Sequence, residues 1–383
     1  MTSRRILVVC MVNSIHSARW LAQFDNPNLM IRVFPSNFFK KVHPEILRLE
    51  KIGLIEIVDH NFFRGFLGFF DHIFELFLSR VFKLFTRQSR LSREIRNFSP
   101  QIVHALEFQS AGYLCLDYIE KYGKDFILIS TNWGSDIYHF QAIPEHREKI
   151  VKLLEQSDRY SSECERDYSL AEELGFTGIN LPVIPNSGGF LEIDINLPRV
   201  PTSERNLILV KGYGGYFGRC QLVVSTLYKV LNASENEKFL VHFFSVSFDV
   251  VGLIENLQEA FPNRITYTTI EKPLSHFDLQ NLFSVARIYI GCSISDGVST
   301  SFLEALVGGA YPIQTNTSCA GEWVKKGAVG TLINLDEGDL RLAINSVIHD
   351  SATLDFAQKT NNQLALNHLE YSRIKSIANS FYV

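Results

Sequence analysis

Short runs of β-branched and other apolar residues alternate with longer stretches of helical period along most of the chain. In the first half this pattern predicts strands at 6–10, 30–34, 54–58, 102–106, 126–130, 159–163 and 181–185. A second series is predicted at 206–212, 239–246, 264–270, 286–293, 310–316 and 330–335. Nearly continuous apolar strands separated by helices are typical of parallel sheets covered on both faces. The predicted class is therefore α/β.

The two series are separated by residues 186–206, which are rich in Gly, Pro, Ser and Asn and lack a helical period. A chain of 383 residues is also longer than one hydrophobic core usually supports. We therefore predict two doubly wound domains. The first is a Rossmann-like domain over residues 1–190, to which a C-terminal helix at about 365–383 returns, and the second covers residues 191–364.

Composition excludes several classes of protein. With 46% hydrophobic residues, 20% charged residues and a net charge of -4, the chain shows no sign of disorder or of a field that attracts nucleic acid. Its six cysteines lie far apart and form no C-x-x-C pair, so neither a disulfide framework nor a zinc site is expected. The start of the chain is typical of a strand and not of a signal peptide. We expect a cytoplasmic protein.

One segment, residues 61–98, departs from this pattern, because many phenylalanines are followed by Arg80, Lys83, Arg87, Arg90, Arg93 and Arg96. A continuous helix with an aromatic face and an arginine face could lie in the plane of an anionic membrane. That would place the protein on the inner face of the cytoplasmic membrane. Alternatively, the phenylalanines form a core face and the arginines a solvated one.

The stretch SDGVSTSFLEALVGGAYPIQ, residues 295–314, is a polar turn that leads from a predicted strand into an apolar helix. In open α/β sheets, ligands bind beyond the carboxyl ends of the strands, where helix N-termini present free N–H groups. Such an anion site would be formed by Gly297, Val298, Ser299, Thr300 and Ser301. Asp296 and Glu304 flank it and are expected to accept hydrogen bonds from ligand hydroxyls. Alternatively, Glu304 forms a capping box with Ser301.

The pattern D-G-V-S-T-S-F-L-E-A-L-x-x-G-A-Y-P-I resembles the acidic-x7-acidic motif of family 4 glycosyltransferases, which have the GT-B fold. The resemblance implies two Rossmann-like domains that face a central crevice. It also implies that the first acid contacts the donor sugar, that the second contacts the ribose, and that the helix start receives the diphosphate. Asp296 stands where the family usually has Glu, which shortens its reach to the sugar.

A partial match covers LVKGYGGYFGRCQ, residues 209–221, where the family's second domain begins with a strand, a glycine loop and a Gly-Arg pair. The resemblance places Arg219 on the diphosphate. The lysine that usually follows this arginine is missing, so Lys211 is the candidate to replace it, unless the role is absent. Both residues could also be ordinary surface charges.

In the first domain, NSIHSARW, residues 13–20, follows the first strand and offers His16 as a catalytic candidate or a hydrogen-bonded residue at a helix start. TNWGSD, residues 131–136, has Trp133 where many relatives carry a histidine. Asp136 is a further catalytic candidate beside Asp296, and Asn132 and His104 are acceptor-side candidates. Asn132, Ser135 and Asp136 could equally be helix caps.

The resemblance implies a glycosyltransferase that moves a sugar from a nucleotide sugar to a glycan or lipid-linked acceptor with retention, in surface polysaccharide or glycolipid synthesis. The leaving diphosphate would help to deprotonate the acceptor hydroxyl. No metal or other cofactor is implied, and Glu192 and Asp194 are the nearest approach to a D-x-D motif. Two alternatives stay open: a nucleotide-sugar epimerase of similar fold, and an inactive membrane-bound scaffold.

Overall fold

The computed structural model describes residues 3–37, 41–58 and 86–383. The chain forms two compact units, Met1–Gly188 with Ile374–Val383, and Gly189–Arg373. The second unit extends further than the predicted 191–364, because the Phe190 N–H donates to the Leu369 carbonyl and the Tyr371 N–H donates to the Phe190 carbonyl. The chain returns to the first unit only at Ile374.

The described part of the first unit contains a parallel sheet with the strand order β3-β2-β1-β4-β5-β6-β7. Its strands are β1 (Arg4–Cys10), β2 (Leu29–Pro35), β3 (Glu56–Ile57), β4 (Ile102–Leu106), β5 (Ile127–Thr131), β6 (Arg159–Ser161) and β7 (Ile179–Asn180). Its first helices are α1 (Ile15–Leu21), α2 (Pro44–Lys51), α3 (Arg87–Phe98), a π-helix (Phe108–Gly112) that continues into α4 (Tyr113–Tyr122), α5 (Ser135–Tyr138), α6 (Pro144–Gln156) and α7 (Glu165–Glu173).

The predicted strand at 181–185 is wrong. The last strand of the first sheet is β7 (Ile179–Asn180), and residues 181–185 follow it without regular structure. Pro182 and Pro185 lack the N–H group that a strand needs for its ladder of hydrogen bonds. The apolar character of this stretch reflects burial of Leu181 and Ile184 in the core and not strand pairing.

The second unit contains another parallel sheet, with the order β10-β9-β8-β11-β12-β13. Its strands are β8 (Leu207–Lys211), β9 (Leu240–Val246), β10 (Ile265–Thr269), β11 (Ala286–Gly291), β12 (Tyr311–Thr315) and β13 (Thr331–Ile333). Its helices are α8 (Glu192–Ile195), α9 (Cys220–Leu231), α10 (Phe248–Ala260), α11 (His276–Val285), α12 (Thr300–Gly308), α13 (Ala320–Lys325), α14 (Glu337–Val347) and α15 (Ser351–Leu369).

The strand order fixes where a ligand can bind in each unit. In the first sheet, β1 lies between β2 and β4, and in the second, β8 lies between β9 and β11. The connections therefore leave the sheet in opposite directions at these central strands, which opens a crevice beyond their carboxyl ends. In the second unit this position is marked by Lys211 at the end of β8 and Gly291 at the end of β11.

The C-terminal helix α16 (Tyr371–Ser380) and the residues after it pack on the first sheet. Phe381 and Tyr382 are fully buried there, and the Trp20 indole N–H donates to the Tyr382 hydroxyl at 3.2 Å. The core of the first unit therefore includes residues from both sides of the second unit in the sequence.

The membrane hypothesis concerned residues 61–98, of which 61–85 lie outside the described residues. Helix α3 begins after Thr86, whose extended backbone and capping hydroxyl end any continuous helix across the segment. Leu91, Ile95 and Phe98 face the core, and the Arg87 guanidinium stacks over the Phe34 ring at 4.5 Å. From Arg87 onward the segment is thus a core-packed helix. Within the described ranges, no helix has the length and apolar character needed to cross a bilayer.

Candidate functional site

The loop that follows β11 enters α12 at the switch point of the second sheet. Ser299 is the N-cap residue of this helix, but its side chain makes no capping hydrogen bond. The Ser299 carbonyl accepts from the N–H groups of Phe302 and Leu303. The side chain therefore leaves the first amides of the helix uncapped, which is the arrangement that binds anions.

The capping-box alternative for Glu304 is wrong. Because α12 begins at Thr300, Ser301 is the second residue of the helix and Glu304 lies beyond its first turn. A capping box needs the hydroxyl at the N-cap and the acid three residues later, and Phe302 occupies that position here. Glu304 is therefore buried for another reason.

Glu304 lines a cleft together with residues of α11 and of the segment that leads into the second sheet. Its side chain is 3% exposed, and its Oε1 atom lies 3.7 Å from Nδ1 of His276, the first residue of α11. Asp194 and Arg199 also line the cleft. A carboxylate held in this way can accept hydrogen bonds from the hydroxyls of a bound ligand.

Asp296 and Lys211 lie together at the carboxyl edge of the second sheet. The Lys211 ammonium is 3.9 Å from Oδ2 of Asp296 and 4.7 Å from the centre of the Tyr213 ring. Both charged side chains are about one quarter exposed. Asp296 is not part of the cleft that Glu304 lines.

Tyr289, in β11, lies beneath the loop and is fully buried. Burial raises the pKa of its hydroxyl far above the ordinary value; the Ser299 side chain opposes this, and the charges of Asp296 and Glu304 add to it. Within the described part of the chain, the Tyr289 hydroxyl, the Ser299 hydroxyl and the Gln314 carbonyl oxygen have no hydrogen-bond partner. Asp296 and Glu304 are therefore both close enough to the Tyr289 hydroxyl to act on it electrostatically.

Arg219 holds the glycine loop that precedes α9. Its Nη1 group donates to the carbonyls of Gly215, Tyr216 and Gly218 at 3.2, 2.7 and 2.7 Å. Its backbone N–H also donates to the Cys292 carbonyl. The structure therefore shows a positioning role for Arg219, and the predicted diphosphate contact stays a prediction.

His104 has no exposed surface with which to contact an acceptor. It lies within β4, where Nδ1 is 2.7 Å from the Tyr382 hydroxyl and Nε2 is 2.6 Å from the Thr131 hydroxyl. Burial lowers its pKa to about 3, so the ring is neutral. The predicted acceptor-side residue is a core residue that connects β4, β5 and the C-terminal segment.

Asn132 and Asp136 are also engaged inside the first unit. The Asn132 amide donates to Asp167 at 2.7 Å and accepts from the Tyr160 hydroxyl at 2.8 Å. The Asp136 carboxylate accepts from the N–H of Phe108 at 2.9 Å, so it caps the π-helix, whereas its own helix α5 has Gly134 as its N-cap residue. Burial raises the pKa of Asp136 to about 7, and the nearby charge of Glu107 adds to this effect.

Two residues at these edges were not predicted. Glu107 directly follows β4, has a backbone φ of 80°, and accepts from the N–H of Ser110 at 2.9 Å. Burial raises the pKa of Glu107. The position of Glu107 directly after a central strand could have identified it from the sequence. His276 could not be identified from the sequence, because its contact with Glu304 depends on how distant elements pack in the fold.

His16 and Trp133 meet at the carboxyl edge of the first sheet. Their ring centroids are 5.4 Å apart, although one residue follows β1 and the other follows β5. The His16 N–H donates to the Ser14 hydroxyl, which caps α1. The indole that stands in place of the expected histidine is therefore in contact with a histidine from another loop.

Comparison with known proteins agrees with this architecture. Residues 5–159, within the first unit, match a family described as glycosyl transferase 4-like. This match confirms the resemblance that the motif of the second unit had indicated. No curated protein of similar sequence was found.

Similar solved structures cover nearly the whole chain. Sucrose-phosphate synthase from Thermosynechococcus elongatus has a TM-score of 0.70 and 12% identity over 99% of this chain and 98% of that one. Anabaena HepE in complex with UDP and glucose has a TM-score of 0.69 and 13% identity over 99% of both chains. The chain has the GT-B fold. UDP-GlcNAc 2-epimerase from Neisseria meningitidis, bound to UDP-GlcNAc, is a further neighbour with a TM-score of 0.64 and 8% identity over 98% of both chains. In GT-B terms, the loop before α12 belongs to the second Rossmann-like domain.

Proposed function

We propose that this protein is a glycosyltransferase that moves a sugar from a nucleoside diphosphate sugar to the hydroxyl of an acceptor. The observation that carries this proposal is the start of α12, where uncapped amides, the buried Glu304 and the Lys211–Asp296 pair lie in one short region of the GT-B fold. Uridine is the first base to test, because two of the similar structures contain UDP or a UDP-sugar.

Each residue then has a separate task. The amides of α12 and the Lys211 ammonium bind the diphosphate, so that its charge is neutralised without a metal ion. Glu304 accepts hydrogen bonds from the ribose, and Asp296 accepts them from the donor sugar. Because Lys211 also lies beside Asp296, it orients that carboxylate.

Transfer would proceed with retention of configuration. The bond between the anomeric carbon and the diphosphate oxygen breaks, and a new bond forms to the acceptor oxygen on the same face. The acceptor proton passes to the departing phosphate oxygen. Little acid–base chemistry is then required of the protein, which suits a site whose strength lies in fixed donors of hydrogen bonds.

We assign the acceptor to the first domain. His16 and Trp133 offer a half-buried imidazole and an indole at its sheet edge, while Asp136 fixes the π-helix beside them. A glycan or lipid-linked acceptor, as in surface polysaccharide or glycolipid synthesis at the inner face of the membrane, is the class we propose.

Calorimetry with UDP on two variants tests the two acids separately. Glu304→Gln should weaken UDP about tenfold, because the ribose loses a charged acceptor worth about 1.5 kcal/mol. Asp296→Asn should leave UDP binding unchanged and reduce turnover of the UDP-sugar, because only the sugar contacts it. Glu259→Gln, at an exposed position on α10, is the matched control.

Unchanged UDP binding in Glu304→Gln would remove the ribose role, and lost UDP binding in Asp296→Asn would remove the division of tasks. A wild-type protein that binds none of UDP, GDP and ADP would instead be the inactive scaffold. Epimerised sugar nucleotide produced without any acceptor would identify the epimerase.

A further inference from the structure

Three buried polar side chains meet under the start of α12. Tyr289 in β11 is fully buried, and both Gln314 in β12 and the N-cap residue Ser299 are almost fully buried. In the part of the chain that the structure describes, the hydroxyl oxygens of Tyr289 and Ser299 and the side-chain carbonyl oxygen of Gln314 have no hydrogen-bond partner. A buried polar group without a partner is costly, so three of them in one place require a reason.

The sheet brings two of these oxygens together. Gly291 of β11 pairs with Gln314 of β12, and Tyr289 lies two residues before Gly291, so the side chains of Tyr289 and Gln314 project from the same face. A β-carbon at position 291 would overlap both the Tyr289 hydroxyl oxygen and the Gln314 carbonyl oxygen. The two oxygens therefore share the space that Gly291 leaves open. Phe283 of α11 packs against the Tyr289 ring, with centroids 5.5 Å apart, and fixes the hydroxyl there.

Ser299 reaches the same place from the start of the helix. Burial raises the pKa of the Tyr289 hydroxyl, and the side chains of Ser299 and Ser301 lie close enough to oppose that rise. Serine is a preferred N-cap residue because its hydroxyl accepts from the second or third amide of a helix. Ser299 makes no such capping bond, and its side chain lies beside Tyr289 instead. The amides at the start of α12 are uncapped for this reason.

The hydrogen-bonding capacity of the three groups indicates what joins them. The hydroxyls of Tyr289 and Ser299 can donate and accept, whereas the Gln314 carbonyl oxygen can only accept. A phosphate oxygen would suit the two hydroxyls but would be repelled by the carbonyl oxygen, so the bound group must both donate and accept. Because all three atoms are shielded from solvent, that group must also be small. A water molecule meets both conditions, and buried waters typically make about three hydrogen bonds of this kind.

We propose that Tyr289 and Gln314 are positioning residues for the diphosphate site. Through one enclosed water molecule they hold the Ser299 hydroxyl away from α12, so that the first amides of this helix stay available to the diphosphate. This inference rests on the proposed function, in which those amides bind the diphosphate. Neither Tyr289 nor Gln314 touches the substrate, yet together they keep the anion site from being closed by its own cap residue.

The test uses the full chain and the change Tyr289→Phe, which removes the hydroxyl and keeps the ring. Ser299 should then turn to the helix and accept from the Ser301 N–H, so that hydrogen exchange of this amide, measured by NMR, slows severalfold. UDP should bind about tenfold more weakly in calorimetry, because the diphosphate loses one donor. Gln314→Met removes the carbonyl oxygen at similar size and should change both quantities in the same direction. Tyr311→Phe, which removes a buried hydroxyl that bonds to Thr331, is the matched control and should change neither.

A second change separates this role from simple packing. Adding Ser299→Ala to Tyr289→Phe removes the capping hydroxyl, so fast exchange of the Ser301 amide and the UDP affinity should both return. A UDP loss that persists in the double variant overturns the inference, as does unchanged exchange in both Tyr289→Phe and Gln314→Met. A crystal structure with no water between the three oxygens would overturn it as well. Failure of the wild type to bind UDP would count against the proposed function, whereas the exchange measurements would still decide this inference.

Discussion

The carboxyl edges of the two sheets have the same topology but use their polar residues differently. At the first edge, the side chains of Asn132, Asp136 and Glu107 form hydrogen bonds with their own unit. At the second edge, the side chain of the cap residue Ser299 leaves its helix uncapped, and its hydroxyl has no hydrogen-bond partner among the described residues. A buried polar group without a partner costs about 1 to 3 kcal/mol. The second edge is therefore the one shaped for a ligand.

This comparison separates residues that hold a loop from residues that are available to a ligand. Arg219 matched a family pattern and Asp136 was a catalytic candidate, yet each is engaged with backbone groups of its own unit. Lys211 instead lies 3.9 Å from Asp296, and Glu304 lies 3.7 Å from His276. A ligand phosphate or hydroxyl can take the place of these side-chain contacts. Matching a motif thus locates an edge but does not assign the role of each residue on it.

The largest effect is expected at Asp136. Its pKa is raised by burial from the ordinary 3.8 to about 7, so folding binds a proton between these values and stability falls as the pH rises from about 4 to 7. Asp136→Asn cannot ionise and should be up to about 4 kcal/mol more stable than wild type at pH 8, with no difference below pH 4. Hydrogen exchange of β5 and the π-helix across this pH range would measure it.

If the stability of wild type and of Asp136→Asn changes with pH in the same way, the Asp136 carboxyl group does not have the raised pKa of a buried group. Loss of transfer activity in a fully folded Asp136→Asn would restore the catalytic role that the sequence predicted. Asp117→Asn, whose carboxyl has a pKa raised by partial burial on α4, serves as the control.

The next effect compares the two cations of the second edge. Lys211→Ala should weaken UDP by about 1.5 to 3 kcal/mol and uridine very little, because it removes a charge-assisted bond to the diphosphate. Arg219→Ala should lower the melting temperature of the second unit, because three carbonyls of the glycine loop lose their donor. Calorimetry with both ligands, together with thermal unfolding, gives these quantities.

If Arg219→Ala weakens UDP binding much more than uridine binding, as expected for Lys211→Ala, the arginine binds the diphosphate as the resemblance implied. Equal loss of both ligands in Lys211→Ala would indicate a packing defect. Lys359→Ala, at an exposed position on α15, controls for the loss of a positive charge.

The smallest effect concerns the membrane. Arg93 and Arg96 are exposed on α3, whereas Arg87 is engaged with Phe34. The double change of Arg93 and Arg96 to Gln should weaken binding to anionic vesicles in flotation by up to about thirtyfold, at about 1 kcal/mol for each basic residue near the surface. The change of Arg341 and Lys359 to Gln removes two exposed cations from the second unit and should have no effect. Equal flotation with neutral and anionic vesicles would exclude an electrostatic contribution.

Much of the fold could be predicted because the central strands contain runs of apolar residues, as in 6–10 and 207–210. The error at 181–185 arose because a buried stretch with two prolines has the same apolar composition as a strand. Asp296 and Glu304 could be located because their spacing lies within one local motif. The pairing of Glu304 with His276 and of His16 with Trp133 could not, since it depends on how distant elements pack.

The return of Ile374–Val383 to the first unit has a consequence for biosynthesis. Tyr382 supplies hydrogen-bond partners to Trp20 and His104 at the centre of that unit, yet it is translated after every residue of the second unit. On the ribosome, the second unit can therefore fold while the first still lacks part of its core. N-terminal domains usually fold first during synthesis, but here the first unit completes its core last. Until residues 374–383 are synthesised, the incomplete first unit is the part exposed to chaperones and proteases.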